Sequence, residues 1–248
     1  MKHVFWIKAT LFIIISSLLT LLLSGLLGAF SINDEKTDAA CASGTLKPKY
    51  TTVIIDAGHG GEDGGASSAA GLLEKEVNLE ISQILCDMLR SNGVNVIMTR
   101  EDDRLLYDRN TDYKGRKKKL DLAARLAIAD STENAIFISI HMNSFTDPKY
   151  SGLQVWYSLN NVDSYALAEM IQNENRQKLQ PLNTRKTKAA TSAINLLHNA
   201  KCPAVLVECG FLSSPDEARL FESYEYRQRV AFTIFCAVTE FLQGDLNN

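Results

Sequence analysis

Three apolar runs in this chain each lead into a residue of the kind that binds a metal. They read Val-Ile-Ile-Asp56-Ala-Gly-His59-Gly-Gly, Ile-Phe-Ile-Ser-Ile-His141-Met-Asn143 and Ala-Val-Leu-Val-Glu208-Cys-Gly-Phe. Short, continuous β-branched runs are the mark of strands buried on both faces. Further strands are expected at 94–99, 153–157 and, as a short one, 194–197. Helical spacing fills the gaps: residues 75–91 place Val77, Leu79, Ile81, Ile84, Leu85, Met88 and Leu89 at largely helical spacing, and 120–130, 163–179 and 224–242 also read as helices. Strands alternating with helices predict an α/β domain, a mostly parallel twisted sheet of about six strands covered by helices on both faces. In open sheets of this kind ligands gather outside the carboxyl ends of the strands. His59, His141 and Glu208 are therefore expected at one edge of the sheet.

Two further carboxylates, Glu74 and Glu76 in Gly71-Leu-Leu-Glu74-Lys-Glu76, follow the first run, and spacing does not choose between them. Two histidines and one carboxylate make the donor set of a hydrolytic zinc site. Glu208 then stands apart as a proton-transfer group; an unpaired carboxylate at the end of so apolar a run is costly unless a positive field justifies it. Asp56 and Asn143 are candidates to orient the imidazoles, or are equally turn residues. The chain has four histidines; His3 lies in the N-terminal segment and His198 in a loop-like stretch, which leaves His59 and His141. The glycines Gly58, Gly60 and Gly61 lack the Gly-Lys-Ser/Thr ending of a phosphate loop and predict a sharp turn around His59.

The remaining composition sets the context. Residues 9–30 are apolar and uncharged, long enough to cross a bilayer as a helix. Lys2 and Lys8 precede this run while Asp34, Glu35 and Asp38 follow, which puts the N-terminus in the cytoplasm and the rest outside. An uncleaved anchor is the favoured reading and a cleavable signal peptide the alternative; either way the remainder is exported. Residues 1–30 are thus an anchor, 31–50 a polar linker and 51–248 the catalytic domain. The anchor carries two of the 26 Lys and Arg and no acid, so the exported part is more acidic than the net −3 of the whole chain. Such a domain is a poor partner for nucleic acid, and Arg116 to Lys119 read as a solvated helix start. Five cysteines with no Cys-x-x-Cys pair argue against a cysteine zinc site, and no structural disulfide is expected.

The motifs Ile-Asp56-Ala-Gly-His59-Gly-Gly with Asp63-Gly-Gly-Ala, Glu74-Lys-Glu-Val-Asn78, Thr99-Arg100, Ser139-Ile-His141-Met-Asn143 and Pro203-Ala-Val-Leu-Val-Glu208-Cys-Gly-Phe-Leu-Ser span residues 51–242. In order and spacing the chain resembles the zinc-dependent N-acetylmuramoyl-L-alanine amidases of bacterial cell walls. Asp130 in place of a usual Asn, and Cys209 in place of Leu or Val, are small departures. The resemblance implies one Zn2+ held by His59, Glu74 and His141, which selects Glu74 over Glu76, with Glu208 catalytic. It implies peptidoglycan with its stem peptides as substrate. An anchor joined to one catalytic domain without wall-binding repeats is similar to the germination-specific type of spore formers, which acts in forming muramic-δ-lactam in spore cortex. That likeness implies action on the cortex side of a membrane and leaves room for an activating protein partner, expected to order a flexible Gly60–Gly71 loop. Two other readings stand beside it: a catalytically silent wall-binding protein of the same fold, and a cysteine hydrolase using Cys209 with His141.

Overall fold

The computed structural model describes residues 48–108, 110 and 114–244. The expected membrane helix over residues 9–30, Cys41 and most of the linker lie outside them. No helix among the described residues is long and apolar enough to cross a membrane.

The elements run β1 (Thr52–Ala57), α1 (Glu74–Ser91), β2 (Asn95–Met98), α2 (Lys117–Ser131), β3 (Ala135–Asn143), β4 (Gln154–Tyr157), α3 (Asp163–Lys178), β5 (Lys188–Ala189), α4 (Asn195–Asn199), β6 (Ala204–Phe211), α5 (Pro215–Glu222) and α6 (Tyr224–Gly244). The six strands form one sheet in the order β2-β1-β3-β6-β4-β5. The β1–β2, β1–β3, β3–β6 and β4–β5 pairings are parallel, and β4–β6 is antiparallel. The sheet is therefore mixed: β4 and β5 run against the other four.

Strand periodicity sorts the side chains between two unequal layers. Val53 and Ile55, Ile136, Ile138 and Ile140, and Val205, Val207 and Cys209 join the larger core, which includes the apolar faces of α1, α3 and α6. Ile54, Phe137 and Leu206 point the other way into a smaller core, covered by α2 and the short α4. By the same alternation Asp56, Ser139, His141 and Glu208 lie on this second face, beyond the reach of its small core. The thin layer leaves the upper part of that face open, and the polar residues collect there.

Two expectations are corrected. The apolar run Ile194–Leu197 is not a strand: Asn195–Asn199 form a helix, and the fifth strand is Lys188–Ala189. Leu196 and Leu197 bury against the sheet from a single helical turn, and so short an apolar run carries no period that separates the two states. Nor does Glu208 end its strand. β6 continues to Phe211, paired with an extension of β3 to Asn143, with the register shifting between His141 and Asn143. A charged side chain interrupts hydropathy but not a backbone ladder. Glu208 therefore stands on the open face of the sheet, directly beside His141, instead of at its edge.

Candidate metal centre

His59 reaches the site because the chain turns sharply after β1. His59 itself has φ 62°, followed by Gly60 at 137° and Gly61 at 53°. A non-glycine residue in the left-handed region is uncommon and must be held there by its surroundings. Two buried arginines supply that hold. Arg125, on α2, donates to the carbonyls of Ala57 and His59, both at 2.7 Å. Arg100 donates to the carbonyls of Ala57 at 2.8 Å, Gly58 at 3.0 Å and Lys75 at 2.8 Å. The turn expected from the glycines is present, and its backbone oxygens are satisfied by guanidinium groups from elsewhere in the chain.

His59 Nε2 lies 3.2 Å, and His141 Nδ1 3.0 Å, from the same oxygen, Glu74 Oε1. Glu74 opens α1 and is almost fully buried. Its Oε1 also accepts from Met142 N at 3.0 Å, and its Oε2 accepts from Ala66 N at 2.7 Å. Glu76, the rival carboxylate, is not part of the cluster. Donor atoms of His59, Glu74 and His141 all lie within 4.8 Å of one another. Ligands at zinc distances with tetrahedral angles sit about 3.3 Å apart, so the observed spacing and the nitrogen and oxygen donor set both fit zinc.

Close backbone approach makes room for the cluster. A Cβ on Gly58 would stand 2.3 Å from His141 Nε2, and one on Gly65 would stand 2.5 Å from Glu74 Oε2. Asp63 Oδ2 lies 3.0 Å from His59 Nδ1, close but poorly aligned for a hydrogen bond. The segment between the first two ligands, expected to be flexible, is knitted to α1. Glu74 N donates to Ala66 O at 2.9 Å, and Lys75 N to Gly64 O at 3.1 Å.

The electrostatics separate the two glutamates. Burial alone would raise the Glu74 carboxyl, but the imidazoles of His141 and His59 more than reverse this and hold it well below the usual range. Burial opposes charge on His59, yet Glu74 and then Asp63 hold its pKa above the ordinary value. Glu208 has no such partner. Burial, opposed by His141 and reinforced by the Glu74 charge, pushes its pKa up to about 7, and its Oε2 is buried without a hydrogen bond. An orphaned buried carboxylate oxygen beside a cluster of metal-type donors marks a place for a cation or a bound reactant. A dication at the cluster would draw this pKa down.

Asp56 and Asn143 make no hydrogen bond to the imidazoles. Asp56 is fully buried and accepts from Arg125 at 2.7 Å, Thr99 at 2.8 Å and Ser139 at 2.6 Å. Burial alone would raise its carboxyl, but Arg125 and then Ser139 hold it below the ordinary value. Its effect on His59 runs through Arg125, which grips both residues. Asn143 accepts from its neighbour Ser144 N at 2.8 Å, the turn role left open above. Sequence reasoning missed Arg125, and it placed Asp63, Asn78 and Arg100 in motifs without assigning them a role. Asn78 stands one helical turn after Glu74 and donates to Gly58 O at 3.2 Å. A signal for Arg125 was available: it lies four residues after Asp121 on the inward side of α2, and the two bond at 2.7 Å. An ion pair on a buried helix face needs a reason.

Cys209 falls on the opposite face of β6, in the larger core, with no exposure. Burial and the Glu208 charge push its thiol well above the ordinary value. A protonated thiol facing away from His141 is no nucleophile, which corrects the cysteine-hydrolase reading.

Comparison with known proteins matches this arrangement to a family. The sequence pattern of the N-acetylmuramoyl-L-alanine amidases (Amidase_3) covers residues 53–240. The chain belongs to this amidase family. The amidase is 37% identical over 195 residues to the germination-specific N-acetylmuramoyl-L-alanine amidase of Bacillus subtilis, covering 78% of this chain and 81% of that protein. Its fold superposes on the CwlD amidase of Clostridioides difficile, solved in complex with the GerS lipoprotein, with a TM-score of 0.75 and 36% identity over 78% of this chain and 99% of that one. AmiC2 of Nostoc punctiforme is a further structural neighbour, with a TM-score of 0.67 and 32% identity over 79% of this chain and 98% of that one. The amidase therefore acts on peptidoglycan, at the bond between N-acetylmuramic acid and L-alanine.

Proposed function

We propose that the amidase is a zinc enzyme in which His59, Glu74 and His141 hold one Zn2+ and Glu208 transfers the protons of hydrolysis. The observation that carries this reading is the pairing of a three-donor cluster with the unpartnered Oε2 of Glu208 on the adjacent strand. When bound, zinc supplies a Lewis acid that polarises an amide carbonyl and makes water more acidic. Glu208, on the adjacent strand with a carboxylate oxygen free of other partners, is placed to take a proton from the attacking water and to deliver it to the departing L-alanine nitrogen. Water oxygen joins the lactyl carbonyl carbon, the carbon–nitrogen bond breaks, and the peptide leaves as an amine. Arg100 and Arg125 keep His59 in its left-handed conformation, and Gly58 leaves space for the His141 ring.

The spore role rests on likeness. The B. subtilis relative is named germination-specific, and we assign this amidase to the same step, removal of stem peptides on the way to muramic-δ-lactam in cortex. Residues 1–30 would anchor it, 31–50 would link, and 51–248 would work outside the cytoplasm. A protein partner is supported by the C. difficile complex with a lipoprotein, and we assign such a partner the activating role; with Gly64 and Ala66 already bonded to the first turn of α1, ordering of that loop is no longer its rationale. Mass analysis of purified cortex peptidoglycan after incubation, with and without zinc, tests the reading. Zinc-dependent release of peptides beginning with free L-alanine is expected, and unchanged glycan would overturn it.

Two further outcomes follow from this geometry. Gly58→Ala should fold, because β1 and its pairings are untouched, yet the new methyl meets the His141 ring. Zinc affinity in competition with a chromophoric chelator is expected to fall by at least about ten-fold; native affinity would show that the ring is not a ligand. The second concerns pH. In chelator, Glu208 has a folded pKa raised from 4.5 to about 7, so its contribution to stability is fully present below pH 4.5 and lost as pH rises through 7. Glu208→Gln, which mimics the neutral acid, should therefore unfold at higher urea than the parent at pH 8, by up to about 3 kcal/mol, and match it near pH 4. Coincident urea curves at pH 8 would place the Glu208 carboxylate in water.

A further inference from the structure

Beyond Glu208 the open face of the sheet continues onto β4, whose direction is reversed. Gln154 is the direct antiparallel partner of Glu208, as His141 is its parallel partner. Directly paired residues project from the same face, so His141, Glu208 and Gln154 form one row. Gln154 is buried, donates to Lys186 O at 2.8 Å, and accepts from Arg185 Nη1 at 3.2 Å.

Arg185 is fixed from several sides. Nε donates to Ser151 O at 2.6 Å, the guanidinium lies 4.5 Å from the Phe211 ring centroid, and it lies 5.8 Å from that of Tyr150. It is half-buried. None of the ion pairs among the described residues involves it. The nearby Glu217 is committed to backbone, accepting from Gly152 N at 3.0 Å and Phe211 N at 2.8 Å. Around this guanidinium opens a groove of about 990 Å³ whose walls include Tyr150, Gln154, Arg185 and Glu217. A guanidinium held rigidly by neutral partners, stacked on an aromatic ring and facing a groove, is preorganised for a planar anion.

Resting on the amidase reading above, we propose that Arg185 binds a carboxylate on the peptide side of the scissile amide and so selects substrates whose stem peptide carries that acid free. The reach is right. Cross-strand pairing and two side-chain lengths put the guanidinium roughly 10 Å from Glu208, and an extended peptide covers about 3.5 Å per residue. A carboxylate one or two residues past the scissile bond falls at Arg185. Replacing it by its amide removes the charge and half of the acceptor set, so free and amidated stems are read differently. Arg185 is a binding residue, and its removal should act on KM and leave the chemical step alone.

The experiment uses zinc-loaded protein and two sets of solubilised muropeptides, differing only in whether the second stem residue carries a free carboxylate or its amide. For the parent, amidation should raise KM about ten-fold with kcat within two-fold. Arg185→Gln should raise KM equally on the free acid and show no further change on the amide; Arg185→Lys should recover part of the loss. Equal losses by the variant on both substrates, or a fall in kcat at constant KM, would overturn the proposal. Calorimetric binding of L-alanyl-D-glutamate with its γ-carboxyl blocked as the methylamide, against the same compound with its α-carboxyl also amidated, to the unaltered protein gives an answer that needs neither a variant nor turnover. Equal affinity there removes Arg185 as the receptor. A parent that cleaves no muropeptide but still prefers the free acid would fail the amidase reading and leave this one standing.

Discussion

Glu208→Gln is expected to keep its zinc and lose turnover by about 10³-fold or more. The substitution preserves shape and touches none of the three metal donors. It removes the group able to accept a proton at neutral pH, a role that general-base catalysis values at about 10²–10⁴-fold. Glu208 has no hydrogen bond to lose at Oε2, so the fold has nothing to repair and the loss should appear in kcat. Metal content by mass spectrometry and initial rates on muropeptides check both halves. A variant with near-native rates would make Glu208 structural and require a different base.

Removing a ligand should have the opposite signature. His59→Ala, Glu74→Ala and His141→Ala are each expected to emerge from dialysis with little zinc and no measurable hydrolysis. The three should not be equal in stability. His59 and His141 are partly exposed, whereas the Glu74 carboxylate is buried and accepts from Ala66 N and Met142 N. Its loss strands two donors, at about 1–3 kcal/mol each if water does not replace it. Glu74→Ala should thus melt lowest in chelator, where metal binding no longer contributes. Full zinc occupancy in all three variants would sink the assignment, and equal melting temperatures would show that water reaches the Glu74 site.

The same contrast explains why a partner that raises zinc occupancy would also stabilise this domain. Anything that binds the folded state and not the unfolded chain adds stability by mass action. A cation held by His59, Glu74 and His141 would join the loop after β1, the first turn of α1 and the end of β3.

Much of this was legible in the sequence. The buried strands announced themselves as unbroken β-branched runs, because a strand covered on both faces has no solvent side to alternate with. The helices showed their apolar spacing, and the glycines around His59 foretold a sharp turn, since glycine bends the chain at little steric cost. The family resemblance then chose Glu74 over Glu76, as spacing along a helix could not.

Tertiary structure decided the rest, because it depends on contacts between segments far apart in the chain. Pairing of β4 against β6 reversed one end of the sheet and set Gln154 opposite Glu208, a register no local pattern encodes. The extension of β6 to Phe211 moved Glu208 from the edge of the sheet onto its face, since backbone ladders continue past a charge that hydropathy reads as a stop. Asp56 was drawn away from the histidines by Arg125, 69 residues later in the chain, and that arginine in turn fixes His59. A sequence displays which side chains carry chemistry; which of them meet, and which merely hold the others, is settled by packing across the sheet.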